Sequence, residues 1–344
     1  MIKYGKSYAP ISSLKSDFIS DNKIHLDENE RIERIYLQQP KRRICKICRG
    51  GLNSSAMFHS HGLNYYHCEK CGHINGEYEE TDEFTSQIYE QSDYGRTYRT
   101  GSKDEYFTRL NNIYLPKAEF LINALEENGV KTKDLEFIDV GAGSGYFVGA
   151  LNKLGFSVKG IEVSTSQVNY ANEMLEMKAL EHVTQEKVVD TICESDADVI
   201  SFIGVLEHVV NLHQILEAIG QNQKIRYMFF SVPMFSYSVF WEAISNDVFN
   251  RLLGGSHTHI FSNSSLEYIY KYYGWENIAE WRFGSDIADL IRIIQVKLID
   301  DGNEYLANLL GKKQSDILDE MQLVLDHQEL SSETHVLVEK VLGD

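Results

Sequence analysis

The stretch Phe137-Ile-Asp-Val-Gly-Ala-Gly-Ser-Gly-Tyr-Phe147 joins an apolar run to three closely spaced glycines. The apolar run predicts a buried β-strand, and the residues after the glycines predict a helix. Gly141, Gly143 and Gly145 allow a tight turn and let the backbone approach a ligand without a Cβ in the way. The helix behind the loop offers unpaired N–H groups to a carboxylate or a phosphate. The stretch therefore predicts a strand–loop–helix unit that binds a nucleoside-containing cofactor.

A dinucleotide fingerprint, G-x-G-x-x-G, is the alternative interpretation of this loop. Its third glycine would fall at Tyr146, so the spacing here is G-x-G-x-G instead. Glu162 ends the next predicted strand, where a carboxylate can accept hydrogen bonds from both ribose hydroxyls of a nucleoside. Asp139 stands two residues before the first glycine. An NAD-dependent oxidoreductase acting on a nucleotide sugar stays open as the rival enzyme class.

Strand and helix patterns alternate outward from the glycine loop. Apolar runs predict further strands, and 3.6-residue periodicity predicts the helices between them. Near-continuous apolar strands separated by helices are typical of a parallel sheet that is covered on both faces. The sequence therefore predicts a doubly wound, Rossmann-like α/β domain. Its predicted strands are 135–141, 157–163, 179–183, 199–204, 227–232, 278–283 and 335–338.

The 344-residue chain also shows changes in composition along its length. They predict four consecutive parts: a polar, irregular or partly helical lead-in, a small turn-rich module, a connecting arm, and the α/β domain with two insertions. The corresponding ranges are 1–40, 41–85, 86–116 and 117–344, with the insertions near 234–262 and 284–330.

Four of the five cysteines form two Cys-x-x-Cys pairs, Cys45/Cys48 and Cys68/Cys71, with 19 residues between the pairs. This spacing is typical of two knuckles that supply four thiolates to one tetrahedral zinc ion. A site filled by four protein ligands is structural rather than catalytic. Four histidines lie near these pairs, and we expect them to be solvent-facing turn residues, with metal ligation as the alternative; they are His59, His61, His67 and His73.

The net charge restricts the partners of the chain. With 51 acidic and 33 basic residues, the formal charge is −18, which disfavours nucleic acid and anionic membrane surfaces as partners. Lys41-Arg42-Arg43 is the densest basic segment. The sequence shows no apolar run of about 20 residues and no signal-peptide pattern, so we expect a cytoplasmic protein. The oligomeric state is left open.

Two segments of the chain resemble the class I S-adenosylmethionine (SAM)-dependent methyltransferases. The first is the glycine loop with Asp139 and Glu162, and the second is Asp198-Val-Ile-Ser-Phe-Ile-Gly-Val-Leu-Glu-His208. The resemblance covers roughly residues 117 to 340. It implies a seven-stranded sheet with the last strand inserted antiparallel and SAM at the carboxyl ends of the first strands. Asp139, the three glycines and Glu162 would then bind the cofactor, with Glu186 at the adenine amine.

The resemblance also indicates where an acceptor would bind. The family often carries a Glu-His pair after the fourth strand and an H-x-H-F-like segment later, which here are Glu207-His208 and His257-Thr-His-Ile-Phe261. A hydroxyl or carbon acceptor needs a base, and histidine is the usual one near neutral pH. His208, His257 and His259 are therefore the candidate bases. Four aromatic residues are candidates for lining the acceptor pocket: Tyr94, Tyr98, Phe235 and Tyr237.

A zinc ribbon ahead of such a domain resembles enzymes that methylate nucleotide-linked sugars or polysaccharide precursors. The chain lacks the Asn/Asp-Pro-Pro-aromatic motif that is common in amino-group methyltransferases, because the corresponding segment is Phe202-Ile-Gly-Val205. We therefore expect O- or C-methylation of a small, sugar-like acceptor. A non-catalytic SAM-binding adaptor and an RNA methyltransferase remain as alternatives.

Overall fold

The computed structural model of the protein describes residues 1–12, 17–90, 102–314 and 317–341, without the side chains of residues 11–18, 89 and 90. Two of the predicted pocket residues, Tyr94 and Tyr98, lie outside the described residues, as does the middle of the connecting arm. In the described part of the chain, no helix is both long enough and apolar enough to cross a membrane.

Twelve strands are present in the described residues. In chain order they are β1 (Ile2–Tyr4), β2 (Phe58–Ser60), β3 (Leu63–His67), β4 (Ile74–Gly76), β5 (Glu136–Val140), β6 (Ser157–Glu162), β7 (Leu180–His182), β8 (Val199–Ile203), β9 (Tyr227–Pro233), β10 (His259–Ile260), β11 (Trp275–Phe283) and β12 (Glu333–Lys340).

The α-helices of the described residues are α1 (Ala9–Ser12), α2 (Asp17–Ser20), α3 (Asn22–Tyr36), α4 (Asp82–Thr85), α5 (Lys103–Arg109), α6 (Leu115–Glu127), α7 (Tyr146–Lys153), α8 (Thr165–Leu175), α9 (Val188–Cys193), α10 (Leu212–Gln221), α11 (Tyr237–Ala243), α12 (Asn263–Tyr273), α13 (Asp286–Asp300), α14 (Glu304–Gln314) and α15 (Leu318–His327).

The large sheet has eight strands in the order β1-β11-β12-β9-β8-β5-β6-β7. Strands β5 to β9 run parallel, whereas β12 lies antiparallel between β9 and β11. Without β1, this is the seven-stranded order with one inserted antiparallel strand that the resemblance implies. The predicted fold class, a doubly wound α/β sheet, is confirmed.

Both faces of the large sheet are covered by helices, which explains why its central strands are apolar at nearly every position. Ile138 and Val140 of β5 face one core, which α10 and α12 cover. Phe137 faces the opposite core, where α6 and α7 pack. Alternate residues of one strand therefore enter different cores, as the two-residue period of a strand requires.

The amino-terminal residues, predicted as an irregular or partly helical lead-in, also contribute a strand to the large sheet. Met1 donates its amino N–H to the carbonyl of Ile278 at 2.9 Å, and β1 adds a parallel strand to β11. Its three residues are too few to show a periodic pattern, so the sequence does not reveal this strand. Helix α3 is 15 residues long and buries Ile32 and Tyr36. Helix α13, in the second insertion, was not predicted either.

A small antiparallel sheet joins the cysteine module to the α/β domain. Its order is β10-β4-β3-β2, so β10, from the insertion after β9, extends a sheet whose other strands lie near residues 58–76. A Cβ at Gly76 would collide with the carbonyl oxygen of Thr258, and glycine therefore permits this close approach. The division of the chain at residues 40, 85 and 116 stays a prediction.

Candidate functional site

The three glycines of the loop between β5 and α7 have different surroundings, although all three have positive φ. A Cβ at Gly141 would lie 2.8 Å from the side chain of Val205, and one at Gly145 would lie 2.8 Å from the Cβ of Ala171. A Cβ at Gly143 would meet nothing within 4 Å. Gly141 and Gly145 are therefore needed for packing, whereas Gly143 leaves open space in which a ligand can approach the backbone.

Glu162 is held by the backbone at the open side of the loop. Its Oε2 accepts a hydrogen bond from the N–H of Gly143, and its Oε1 accepts one from the N–H of Ser164, both at 2.9 Å. Each carboxylate oxygen has a second lone pair, so both can still accept a hydroxyl. This geometry fits the two ribose hydroxyls of a nucleoside.

Asp139 lies below the loop and does not reach its open side. It is 2% exposed, and its Oδ1 accepts a hydrogen bond from the Ser201 hydroxyl at 2.6 Å. Burial raises the pKa of Asp139 to about 7, with the Ser201 hydrogen bond acting against this rise. The structure therefore places Asp139 in a buried hydrogen bond with Ser201 of β8, and its role in binding the cofactor stays a prediction.

Tyr146, which occupies the place of a third dinucleotide glycine, is buried between two rings. Its ring stacks on Tyr106 at a centroid distance of 4.5 Å and on Tyr114 at 5.0 Å. The Tyr106 hydroxyl donates to the carbonyl of Ser144 in the loop, at 2.9 Å. Tyr106 was predicted to belong to a connecting arm, but it is fully buried and braces the glycine loop.

A short 3₁₀ turn over Leu206–His208 follows β8 and connects the loop to the candidate bases. The turn begins at Val205, whose side chain packs on Gly141, so the predicted acceptor side lies next to the cofactor loop. Glu207 is 5% exposed, and its Oε2 has no hydrogen-bond partner. Burial raises the pKa of Glu207 to about 8.

His208 and His257 lie face to face beside Glu207. Their ring centroids are 5.2 Å apart with an interplanar angle of 29°, and Nε2 of His208 lies 4.0 Å from Oε1 of Glu207. Both histidines are only partly buried. Burial lowers the pKa of His208 well below its usual value and that of His257 to about 4, so both rings are neutral at pH 7. The structure thus brings two of the three candidate bases together.

The third candidate, His259, lies elsewhere. Its side chain is fully buried in β10, where Nε2 donates to the Glu207 carbonyl at 2.8 Å and Nδ1 lies 3.0 Å from Nε2 of His73. Because Nε2 of His259 carries the proton, its Nδ1 is the acceptor, and His73 donates to it. Both nitrogens are occupied, so the geometry does not support His259 as a base. It acts instead as a link between the cysteine module and the turn that carries Glu207.

His73 was expected to face solvent with the other histidines of the module, and for His73 that expectation is wrong. It is fully buried, whereas His59 and His67 are exposed as predicted and His61 is partly buried. No sequence signal distinguishes His73 from His67, since each stands beside a Cys-x-x-Cys pair. Its role depends on β10, which reaches it from 186 residues further along the chain.

Other predicted site residues contribute differently. Glu186 lies exposed in a 3₁₀ turn after β7, where its position near the adenine stays a prediction. Phe235 packs against Phe58 and Phe240, and Tyr237 packs against Phe240 and Trp241. These contacts agree with aromatic packing as their main role.

The predicted basic segment around Arg42 is neutralised locally. Lys41 pairs with Glu77, and Arg42, whose side chain is 7% exposed, pairs with Glu80. Lys46 also pairs with Glu80, at 3.4 Å. Two of the three basic side chains of the segment, Lys41 and Arg42, are therefore ion-paired within the module.

The four paired cysteines converge on one buried cluster. The Sγ atoms of Cys45 and Cys71 are 3.5 Å apart, those of Cys48 and Cys68 are 3.4 Å apart, and all four lie within 4.8 Å of one another. Four thiolates at about 2.3 Å from a tetrahedral zinc ion would be about 3.8 Å apart. The cluster therefore fits zinc. Cys193, the fifth cysteine, is exposed and distant in the sequence.

Comparison with known proteins gives one matching family. Residues 112–280, which include the glycine loop, Glu162 and the histidine pair, match the model of a family described as a methyltransferase domain. The chain contains a SAM-dependent methyltransferase domain. The matched range excludes the cysteine module, and it ends within β11 of the large sheet.

The methyltransferase domain is also similar to individual proteins. Over 125 residues the chain is 27% identical to the ubiquinone biosynthesis O-methyltransferase of Rickettsia prowazekii (strain Madrid E), covering 36% of this chain and 49% of that protein. The chain thus spans about half the length of this curated relative.

Two solved structures illustrate the structural similarity. One is magnesium protoporphyrin IX methyltransferase from Synechocystis PCC 6803 with bound SAH, at 12% identity and a TM-score of 0.45, covering 76% of this chain and 97% of that one. The other is geranyl diphosphate C-methyltransferase from Streptomyces coelicolor A3(2), at 13% identity and a TM-score of 0.39, covering 91% and 98%.

Proposed function

We propose that this protein transfers a methyl group from SAM to a hydroxyl oxygen or a carbon of a small, sugar-like acceptor. The observation that carries the proposal is the position of the His208–His257 pair, which is partly exposed and lies beside the glycine loop through the contact of Val205 with Gly141. In-line transfer requires donor and acceptor to be aligned side by side, and this arrangement provides adjacent places for both.

Different residues of the chain would bind the cofactor and activate the acceptor. Gly143 leaves room for the cofactor, and the carboxylate of Glu162 accepts hydrogen bonds from its ribose. When bound, SAM supplies a sulfonium methyl group whose bond to sulfur breaks as the acceptor forms a bond to its carbon. The His208–His257 pair activates the acceptor and receives the proton that the acceptor loses.

The sugar-like acceptor rests on the chemistry of the site and on the cysteine module ahead of the domain. Polar imidazole, carboxylate and backbone groups surround the pair, which suits an acceptor rich in hydroxyls. The four-thiolate cluster fits structural zinc, and we propose that this ion holds the module against the acceptor side. The formal charge of −18 disfavours a nucleic acid acceptor.

The test is a transfer assay with methyl-labelled SAM against nucleotide sugars, with phenolic acceptors for comparison. Glu162→Ala is expected to weaken SAM binding, whereas His208→Asn and His257→Asn should lower turnover about 100-fold with SAM affinity unchanged. Binding of NAD instead of SAM would support the oxidoreductase alternative. SAM binding with turnover that is unaffected by either histidine substitution would contradict the proposed site.

A further inference from the structure

The carboxylate of Glu207 and the imidazoles of His208 and His257 form a second cluster of metal-ligating groups, separate from the four cysteines. One ligand atom of each side chain lies within 4.8 Å of those of the other two. Two histidines and one carboxylate are the ligand set of many divalent metal centres that keep open coordination positions.

A second, independent observation concerns the buried carboxylate. Glu207 is 5% exposed, and its Oε2 has no hydrogen-bond partner. An ionised carboxylate in this environment is costly unless a cation or a donor satisfies it. Lys46 and Lys117 act on its charge, but they are paired with Glu80 and Glu333.

A hydrogen bond from His259 to the backbone holds the turn that carries two of the three residues of the cluster. The Glu207 carbonyl accepts a hydrogen bond from His259, which holds the turn Leu206–His208 in place. Outer groups of this kind orient the ligands of metal centres. The accessible side of the cluster is formed by His208 and His257, which are partly exposed.

We propose that Glu207, His208 and His257 bind a divalent cation that holds the oxygen atoms of the acceptor beside the methyl donor. Three protein ligands leave up to three positions of an octahedral ion for acceptor oxygens or water. Adjacent ligand atoms of such an ion, bound at about 2.1 Å, lie about 3 Å apart. The ligand atoms of the three side chains lie within 4.8 Å of one another, so they move together by up to about 2 Å when the cation binds.

This inference rests on the proposed function for the acceptor, and it changes how the histidine pair activates that acceptor. A cation at this position lowers the pKa of a bound hydroxyl, as a Lewis acid does. The hydroxyl proton then passes to solvent, since each imidazole uses one nitrogen for the cation and is hydrogen-bonded to the backbone, His208 to Ser256 and His257 to Leu252. The balance of the reaction is unchanged: the acceptor loses one proton and gains one methyl group.

The experiment uses Mn²⁺ alone as the probe, because Mn²⁺ prefers oxygen and nitrogen ligands to thiolates and so avoids the cysteine cluster. The full-length, zinc-containing protein is titrated, and free Mn²⁺ is followed by electron paramagnetic resonance. We expect one Mn²⁺ per chain, with binding weakened at least about 10-fold in Glu207→Gln and in His257→Asn. The matched control, His182→Asn, replaces an exposed histidine of β7 and should bind Mn²⁺ normally.

Several outcomes separate this proposal from the proposed function. Equal Mn²⁺ binding by the His257→Asn variant and the control would overturn the cation site, and His257→Asn keeps the test valid if Glu207→Gln does not fold. Full transfer activity after removal of Mn²⁺ and other weakly bound ions, with zinc retained, would also overturn it while leaving the methyltransferase intact. Mn²⁺ bound at the three residues without any methyl transfer would support the site and contradict the function.

Discussion

The cofactor side and the acceptor side of the candidate site are built in different ways. On the cofactor side, Gly143 and Glu162 are 19 residues apart and bond directly across two adjacent strands. On the acceptor side, the hydrogen-bonded residues are far apart in the chain. His73 and His259 are separated by 186 residues, and His259 and the Glu207 carbonyl by 52. Damage to the cysteine module should therefore affect the acceptor side and leave the cofactor side largely unchanged.

Loss of one thiolate is the largest expected effect. Cys45→Ser removes one of four ligands from the buried cluster, and we expect zinc content to fall and the free energy of unfolding to drop by at least about 3 kcal/mol. The measurements are zinc quantification and urea denaturation. Cys193→Ser, at the exposed fifth cysteine, is the control and should behave like the wild type. Unchanged zinc content in Cys45→Ser would contradict a four-thiolate site.

Two glycine substitutions on the cofactor side distinguish a glycine needed for packing, Gly145, from one that leaves room for the ligand, Gly143. Gly145→Ala places a Cβ 2.8 Å from the Cβ of Ala171 and forces alanine to adopt a φ of 75°. The free energy of unfolding should therefore fall by about 2–4 kcal/mol. Gly143→Ala meets no protein atom, so its stability loss should be limited to the backbone cost of about 1–2 kcal/mol. SAM affinity, measured by calorimetry, should fall more in Gly143→Ala. Equal stability losses in the two variants would contradict the assignment of their separate roles.

His73→Phe tests the link between the module and the acceptor side. The substitution leaves Nδ1 of His259 buried without a donor, which costs about 1–3 kcal/mol, and we expect turnover to fall about 10-fold. SAM affinity should change little, because the cofactor loop does not contact His73. His67→Phe, at an exposed position of the same module, is the control. Equal losses of turnover and of SAM affinity would show that the two sides are not independent.

Asp139→Asn is expected to affect the comparison of the two sides least, because its effect is on stability and depends on the pH. The pKa of Asp139 is raised from 3.8 to about 7 by burial, so folding disfavours its ionised form. Its contribution to stability is therefore fully present below pH 4 and is lost as the pH rises toward 7. The asparagine variant cannot ionise, so its stability should rise by about 4 kcal/mol relative to the wild type between pH 4 and pH 8, at about 1.4 kcal/mol per pKa unit. Thermal unfolding of both proteins at several pH values measures this stability difference. A stability difference that does not change with pH would contradict the raised pKa of Asp139.

Much of the fold could be predicted because its signals are local. The strand–loop–helix unit at Gly141 to Gly145 and the strand ending at Glu162 were predicted within a few residues of their observed bounds. The strand Ile2–Tyr4 and the long helix Asp286–Asp300 were not. The strand is too short to carry a pattern, and its partner β11 lies at the other end of the chain.

The candidate site was predicted less completely than the fold. The pattern identified Glu207, His208 and His257 as residues of interest, and the structure brings them together. It did not distinguish His259, which is buried with both nitrogens occupied, from the partly exposed pair. Sequence spacing does not show which way a side chain points when its partner comes from another segment.

The sequence by itself determined the strand–loop–helix unit of the cofactor side, the glycine spacing and the cysteine pairs, because each depends on residues close together in the chain. The tertiary structure decided which histidines face the acceptor and which join the module to the domain. It did so by pairing β10 with β4, which buries His73 and His259 together. Contacts between distant segments depend on the packing of the whole chain, and no local pattern encodes them.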